Sequence, residues 1–362
     1  MKRAMDSTAA RLTVDLDALA ANHALLKELA GSAEVAPVVK ADAYGLGAAA
    51  VSTRLWGEGA RSFFTARLSE GVALRAILPN AEIWVLDGCP DGADPILAEH
   101  DLKPVLNSLD QIARFHSGGG GDAAIHIDTG MNRLGLRPEE AQALADAPDR
   151  LRGVEVEMVM SHLACASDPT PPMNMLQCSM FKNAAQHFPR AKLSLANSAG
   201  VFLGPDYAFD LVRPGVALYG GGPLGTTEPR LKTVATLELP ILQLRTVRPG
   251  ETVGYGATWT APETRRLAIL GGGYADGVLR SGSPGAYASL DGRRCAVIGR
   301  ISMDLIALDV TDHPGAREGA YAQMIGPDAP IDDLATASGS LAYELLVRLA
   351  PRVQRRYVGA VG

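Results

Sequence analysis

The sequence predicts an α/β architecture: a (β/α)8 TIM-like barrel over residues 10–233, followed by a C-terminal mainly-β domain over residues 234–362. Three observations carry this. Eight short strand-like runs alternate with segments whose apolar residues recur three and four apart, an order that builds a parallel sheet. Eight such repeats in just over 200 residues suit a closed barrel. Beyond about residue 233, helical spacing gives way to strand-like runs separated by Pro, Gly and Asp turns.

In chain order, the first strand is VAPVV (35–39), which runs straight into Lys40. The next are SFFT (62–65), EIWVLD (82–87), KPVL (103–106) and AAIHI (123–127). VEVEMVM (154–160), KLSLA (192–196) and FDLV (209–212) complete the set. Every strand but the last is followed by a helix pattern, such as LSEGVALRAIL or PEEAQALADA. The low-complexity patch HSGGGGD (116–122) reads as a loop before the fifth strand. In the second domain, TVATLELPILQLRTV, ETVGYGATW, RRLAILGGGY, RRCAVIGRISMDLIALDV and YAQMIG read as strands. Helical patterning returns there only near IDDLATASGS.

Composition narrows the function. A formal charge of −6 gives no basic footprint for nucleic acid and no polybasic block for a membrane. No apolar run reaches the roughly 18 residues of a membrane span. The first residues begin basic but lack the continuous apolar stretch of a secretion signal. Cys89, Cys165, Cys178 and Cys295 are scattered, without metal-type pairs, and fit a reducing cytoplasm better than a disulfide framework. These features point to a cytoplasmic protein with no nucleic-acid or membrane partner and no metal.

In α/β barrels the chemistry sits at the C-terminal ends of the strands. Lys40 follows strand one, Arg133 (IDTGMNRLG) follows strand five, and His162 (MVMSHLA) ends strand six. Asn197 and Ser198 (LANSAG) end strand seven, and Arg213 (LVRPGVALYG) ends strand eight. Singly, each has a dull explanation: a core histidine, a turn, a helix cap. Five strand ends on one rim make a site. Barrels commonly bind phosphate at the loops after strands seven and eight, where Ser198 offers a hydroxyl and Gly215 an unobstructed backbone. A lysine among cations beside a phosphate cradle suits a phosphorylated aldehyde held as an imine. Burial and neighbouring charge would lower the Lys40 pKa and leave more neutral amine.

The stretch VVKADAYGLGA resembles the pyridoxal 5′-phosphate (PLP) signature of alanine racemases. The resemblance continues through IDTGMNRLG, SHLACA, NSAG, VRPGVALYG, VGYGATW, GYADG, GRISMD and AYELL, in the family's order and over nearly the whole chain. It implies that Lys40 holds PLP and serves as one catalytic base. Tyr44, Ser198, Gly215, Val216 and Tyr343 would surround the phosphate, the glycine and valine through backbone N–H. Arg213 would face the pyridine nitrogen, with His162 and Asn197 close to the cofactor; Arg133 would reach both cofactor and substrate carboxylate. Tyr255 would be the second base, crossing from the β-domain of a partner subunit together with Met303, which would bind the carboxylate through its backbone. Tyr274, Arg280, Arg300 and Asp304 would line the entry channel. The implied protein is a cytoplasmic homodimer with shared sites that interconverts L- and D-alanine, for peptidoglycan or for D-alanine catabolism.

Physical chemistry supports these roles. Racemisation needs proton removal on one face of Cα and delivery on the other. A tyrosine, which ordinarily titrates at about 10, needs help as a base near neutrality, and a hydrogen-bond chain through His162 to Arg213 would favour its phenolate. An arginine keeps its protons, so Arg213 would leave the pyridine nitrogen unprotonated and the electron sink weak, against transamination. A decarboxylase of similar architecture is expected to place a carboxylate there instead. A non-catalytic PLP carrier would lack a β-domain bearing Tyr255. Racemisation of serine or a larger amino acid stays open.

One position departs from the pattern. Many alanine racemases carry a lysine seven residues before the arginine of DTGMNR, and its carbamate orients that arginine; here it is His126. Either His126 is neutral or shares an anion such as chloride with Arg133, or it turns away into the barrel and Arg133 is held by other groups, such as Asn132 or a cofactor oxygen.

Overall fold

A computed structural model describes residues 9–360. The described chain forms two compact units, one of 20–218 and one joining 9–19 to 219–360. The expected first domain began at residue 10. Instead the strand Arg11–Asp15 (β1) belongs to the second unit. Its alternating exposure, with Leu12 and Val14 fully buried, suits a sheet with one covered face.

The first unit is the barrel. Its strands are β2 (Glu34–Val35), β3 (Ser62–Thr65), β4 (Glu82–Val85), β5 (Lys103–Leu106), β6 (Gly121–His126), β7 (Val154–Met160), β8 (Lys192–Ser194) and β9 (Leu211–Val212). Strands β3 to β8 pair in parallel in chain order, and β2 pairs with β9. Isolated bridges Val38↔Phe64 and Asn197↔Arg213 join these two sheets at both seams, closing the ring. The expected run 35–39 is shortened because Pro37 has no N–H for the ladder; its carbonyl still accepts from Phe64 at 2.9 Å. Phe63, Phe64, Ile83, Val105, Ile125 and Val159 are fully buried, as parallel strands covered on both faces require.

The two mouths of the barrel differ. At the N-terminal strand ends, Lys103 Nζ meets Glu82 at 2.9 Å, Asp122 at 3.3 Å and Glu157, while Lys192 meets Glu34 at 3.2 Å. Those cations are spent on structure. The cations at the C-terminal ends are arranged otherwise.

In the second unit, β10 (Ala235–Val247), β11 (Thr252–Val253), β12 (Trp259–Thr260), β13 (Arg265–Gly271), β14 (Tyr287–Leu290), β15 (Arg293–Ile298), β16 (Leu305–Asp309), β17 (Tyr321–Ile325) and β18 (Gln354–Val358) supply the β-texture. The long β10 pairs antiparallel with β1, β17 and β13 along its length, so β13-β16-β15-β14-β17-β10 closes on itself. β1 then pairs in parallel with β18. The expected helix appears at Ile331–Ala337, and a second, Ala342–Val347, was not expected. Six residues are too few for a periodic pattern to stand out. Among the described residues no helix is long and apolar enough to cross a membrane.

Candidate active site

Lys40 opens a segment of unusual backbone. Ala41, Asp42, Ala43 and Tyr44 have φ of 53°, 56°, 52° and 56°, one turn of left-handed helix without a glycine. L-residues lose roughly 1–2 kcal/mol each in this region, so the turn needs restraints. Ala43 N donates to Val39 O at 2.9 Å, Gly45 N to Ala41 O at 2.8 Å, and Ala48 N to Asp42 Oδ1 at 2.7 Å. Gly45, with φ 80°, ends the turn where a side chain would be strained. The Lys40 pKa is lowered by burial first and Arg133 second, with Glu70 and Asp87 acting in the opposite sense.

The turn aims Tyr44 at the far side of the rim. A Cβ on Gly215 would lie 2.2 Å from Tyr44 Oη, so only glycine permits this approach. Ser198 Oγ accepts from Gly215 N at 2.8 Å and Ala217 N at 3.3 Å. The expectation that Gly215 offers a free N–H is therefore corrected: Ser198 takes it. Asn197 caps the helix Ser198–Leu203, its Oδ1 accepting from Gly200 N at 2.9 Å. Val216 is buried beside them.

Arg213 is buried and fixed by the ends of β7 and β8. Its guanidinium donates to Ser194 Oγ, to Ser161 O at 2.5 Å and to Leu195 O at 3.4 Å. Burial pushes its pKa down to about 9, which leaves it cationic at neutral pH. His162 is held well below the usual histidine range by burial first and Arg213 next. The expected hydrogen bond from His162 to Arg213 is not formed; His162 Nε2 lies 3.5 Å from Asn197 Nδ2 instead. Arg213 instead turns its Nη1 and Nη2 groups to the ends of β7 and β8.

Asp128 shapes the loop that carries Arg133, its Oδ1 accepting from the N–H groups of Gly130, Met131 and Asn132 at 2.9, 2.9 and 3.1 Å. Arg133 itself is exposed and makes no hydrogen bond or ion pair with the described residues. His126 turns into the barrel, as one of its two expected placements had it, but Asn132 does not hold Arg133 as that alternative supposed. Its Nδ1 lies 2.8 Å from Asn107 Oδ1. The Asn107 amide donates to Leu86 O and Val105 O, so its oxygen faces the imidazole, and His126 is the Nδ1–H tautomer. Burial first, then Arg213, lowers the His126 pKa to about 4.

His23 is likewise held at about 4, by burial and then Lys27. The unfolded chain takes these protons near 6.5, whereas the folded protein takes them only near 4. Stability is therefore complete above 6.5 and falls as pH drops toward 4, by about 1.4 kcal/mol per unit for each histidine. The urea midpoint should drop between about pH 7 and pH 5, and His23→Leu should flatten that decline. A midpoint constant over this range would contradict the burial argument.

The remaining candidates lie in the second unit. Tyr255 is 72% exposed in the turn Tyr255–Ala257, flanked by Gly254 and Gly256 at φ 77° and 73°. The Arg300 guanidinium covers Gly256, where a Cβ would sit 2.8 Å from it. Met303 is 52% exposed, and its loop is tied to the Tyr274 turn: Tyr274 N donates to Ser302 O at 3.1 Å and Ala275 N to Met303 O at 3.0 Å. Arg352 clamps both segments, with Asp276 at 2.8 Å and Asp304 at 2.7 Å. Arg280 is exposed in the turn Arg280–Gly282, and Tyr343 stands on the helix Ala342–Val347. The structure thus gathers Lys40, Tyr44, Ser198, Gly215 and Arg213 in one unit, and Tyr255, Arg300, Tyr274, Met303 and Asp304 in the other. Reading the sequence missed Asn107, Ser194 and Arg352. Ser194 was signalled only by its place in KLSLA, opposite the arginine strand.

Comparisons with known proteins agree over nearly the whole chain. The family model described as alanine racemase, N-terminal domain, matches residues 14–223, and alanine racemase, C-terminal domain, matches 234–357. An alanine racemase of Acidiphilium cryptum is 47% identical, over 95% of this chain and 97% of that one. The biosynthetic alanine racemase of Pseudomonas aeruginosa superposes with a TM-score of 0.93 at 36% identity, covering 97% of this chain and 100% of that chain. The alanine racemase of Bartonella henselae with covalently bound pyridoxal phosphate superposes at 0.91, also at 36% identity, covering 97% and 99%.

Proposed function

The chain belongs to the alanine racemase family, and from that premise we propose how its own residues interconvert L- and D-alanine with pyridoxal 5′-phosphate as cofactor. One observation carries the reading. The C-terminal ends of the barrel strands bring a lysine of lowered pKa, a buried arginine and a glycine cradle onto one rim. These residues suit a phosphate, since the hydroxyls of Tyr44 and Ser198 converge on Gly215, where no Cβ intervenes.

Lys40 would hold the cofactor; Tyr44, Ser198, Gly215, Val216 and Tyr343 would surround its phosphate, with Asn197 and His162 beside the ring. When bound, PLP supplies an electron-accepting ring that acidifies the Cα proton of alanine. Arg213 keeps its own protons and leaves the ring nitrogen unprotonated, which moderates that acidity and disfavours transamination. Arg133, with its donors uncommitted, binds the substrate carboxylate. Lys40 moves the proton on one face of Cα. Tyr255 moves it on the other, and its exposure suits service in the site of a second subunit, with Met303 beside it. Tyr274, Arg280, Arg300 and Asp304 line the approach. A homodimer with shared sites is the assembly this implies, and free cysteines at positions 89, 165, 178 and 295 suit the cytoplasm.

The test is chiral chromatography of alanine, serine and larger amino acids with the PLP-loaded enzyme. Alanine should racemise fastest; faster serine turnover overturns the substrate assignment, and no racemisation overturns the reaction.

The neutral His126, bonded to Asn107, has no amine for a carbamate. Wild-type activity should be indifferent to bicarbonate, and His126→Lys should acquire bicarbonate sensitivity. Activity that collapses on rigorous removal of carbon dioxide would place a carbamate on another residue.

A further inference from the structure

The left-handed turn after Lys40 is braced from outside by one carboxylate. Glu70 Oε1 accepts from Ala41 N at 2.8 Å, and Glu70 Oε2 accepts from Ala66 N at 2.8 Å and Arg67 N at 3.2 Å. Glu70 lies in the first turn of the helix Leu68–Ile77, so one side chain ties the segment after β2 to the segment after β3. Ala41 is the first of the four residues with positive φ, and its amide is where the left-handed path begins. A right-handed path from Val39 would turn Tyr44 away from Gly215 and redirect Lys40. The internal bonds of the turn close only once that first residue is in place, whereas the Glu70 bond fixes the residue itself.

We propose that Glu70 is a positioning residue: its carboxylate holds Ala41 in the left-handed region, so that Lys40 and Tyr44 are presented to the cofactor at the same time. This rests on Lys40 being the lysine that holds PLP, and borohydride reduction with peptide mapping of the wild type checks that separately. Charge-assisted bonds of this kind are strong because the acceptor is ionised. Glutamine at position 70 has one acceptor oxygen and must give up one of the two anchored segments.

The measurement is PLP affinity of the apo-protein, read from the visible absorption of the bound cofactor and independent of turnover. Glu70→Gln should weaken it roughly 10–100-fold, the loss of one hydrogen bond to a charged group. Ala41→Gly, which removes the conformational penalty at that residue, should recover much of the affinity in the Glu70→Gln background. If Glu70 serves only to cap its own helix, Glu70→Gln lowers the thermal midpoint but leaves PLP affinity unchanged, and Ala41→Gly rescues nothing. Either result overturns the proposal. Should the variant fail to fold, amide exchange in the wild-type apo-protein decides: the Ala41 amide should exchange slowly, and fast exchange overturns the proposal.

Discussion

Tyr255→Phe is expected to bind the cofactor as the wild type does and to lose racemisation by about 10²–10⁴-fold, the contribution of one positioned acid–base group. Lys40→Ala is expected to lose both. The asymmetry follows from placement. Lys40 stands in the barrel unit among the groups that hold PLP, whereas Tyr255 stands in the second unit, 72% exposed in a glycine-flanked turn. Removing one hydroxyl there leaves the barrel residues of the cofactor cradle as they were. Visible absorption and chiral analysis of the same samples separate the two losses. Equal activity in Tyr255→Phe and wild type would sink the two-base mechanism and leave a PLP carrier as the better reading.

Mixing the two inactive proteins should restore activity. If Tyr255 works in the site of the other subunit, a heterodimer of Lys40→Ala and Tyr255→Phe chains has one site with both residues intact. Random exchange then makes half of the dimers heterodimers, each with one working site of two, about a quarter of wild-type activity. Exchange is confirmed by a mass tag on one chain. An exchanged mixture with no activity would show that each site draws both bases from one chain.

The strands of the barrel were legible because their buried centres and C-terminal ends are written as short runs of β-branched, aromatic and other apolar residues. SFFT, KPVL and VEVEMVM appear as β3, β5 and β7 with the bounds expected. Residues at the strand ends could be grouped because the architecture puts them on one rim. What escaped notice depends on distant partners or on handedness. RLTVD becomes β1 only through strands far along the chain. KADAY is made of ordinary residues with no glycine to announce positive φ, and its left-handed path comes from bonds to Asp42 and Glu70. His126 could be singled out by its position. Its partner Asn107 could not, because β5 and β6 meet only in the folded barrel.

The placement of β1 has a consequence for synthesis on the ribosome. Its partners β10 and β18 are made long after it, and at about 5–20 residues per second the wait is on the order of 10–70 s. Until then Leu12 and Val14, fully buried in the finished sheet, have no cover of their own. The barrel residues 20–218 are all translated within that interval, so a half-made chain carries an unpaired strand ahead of a barrel already complete in sequence. That strand is an edge open to other nascent chains until β10 and β18 emerge to cover it.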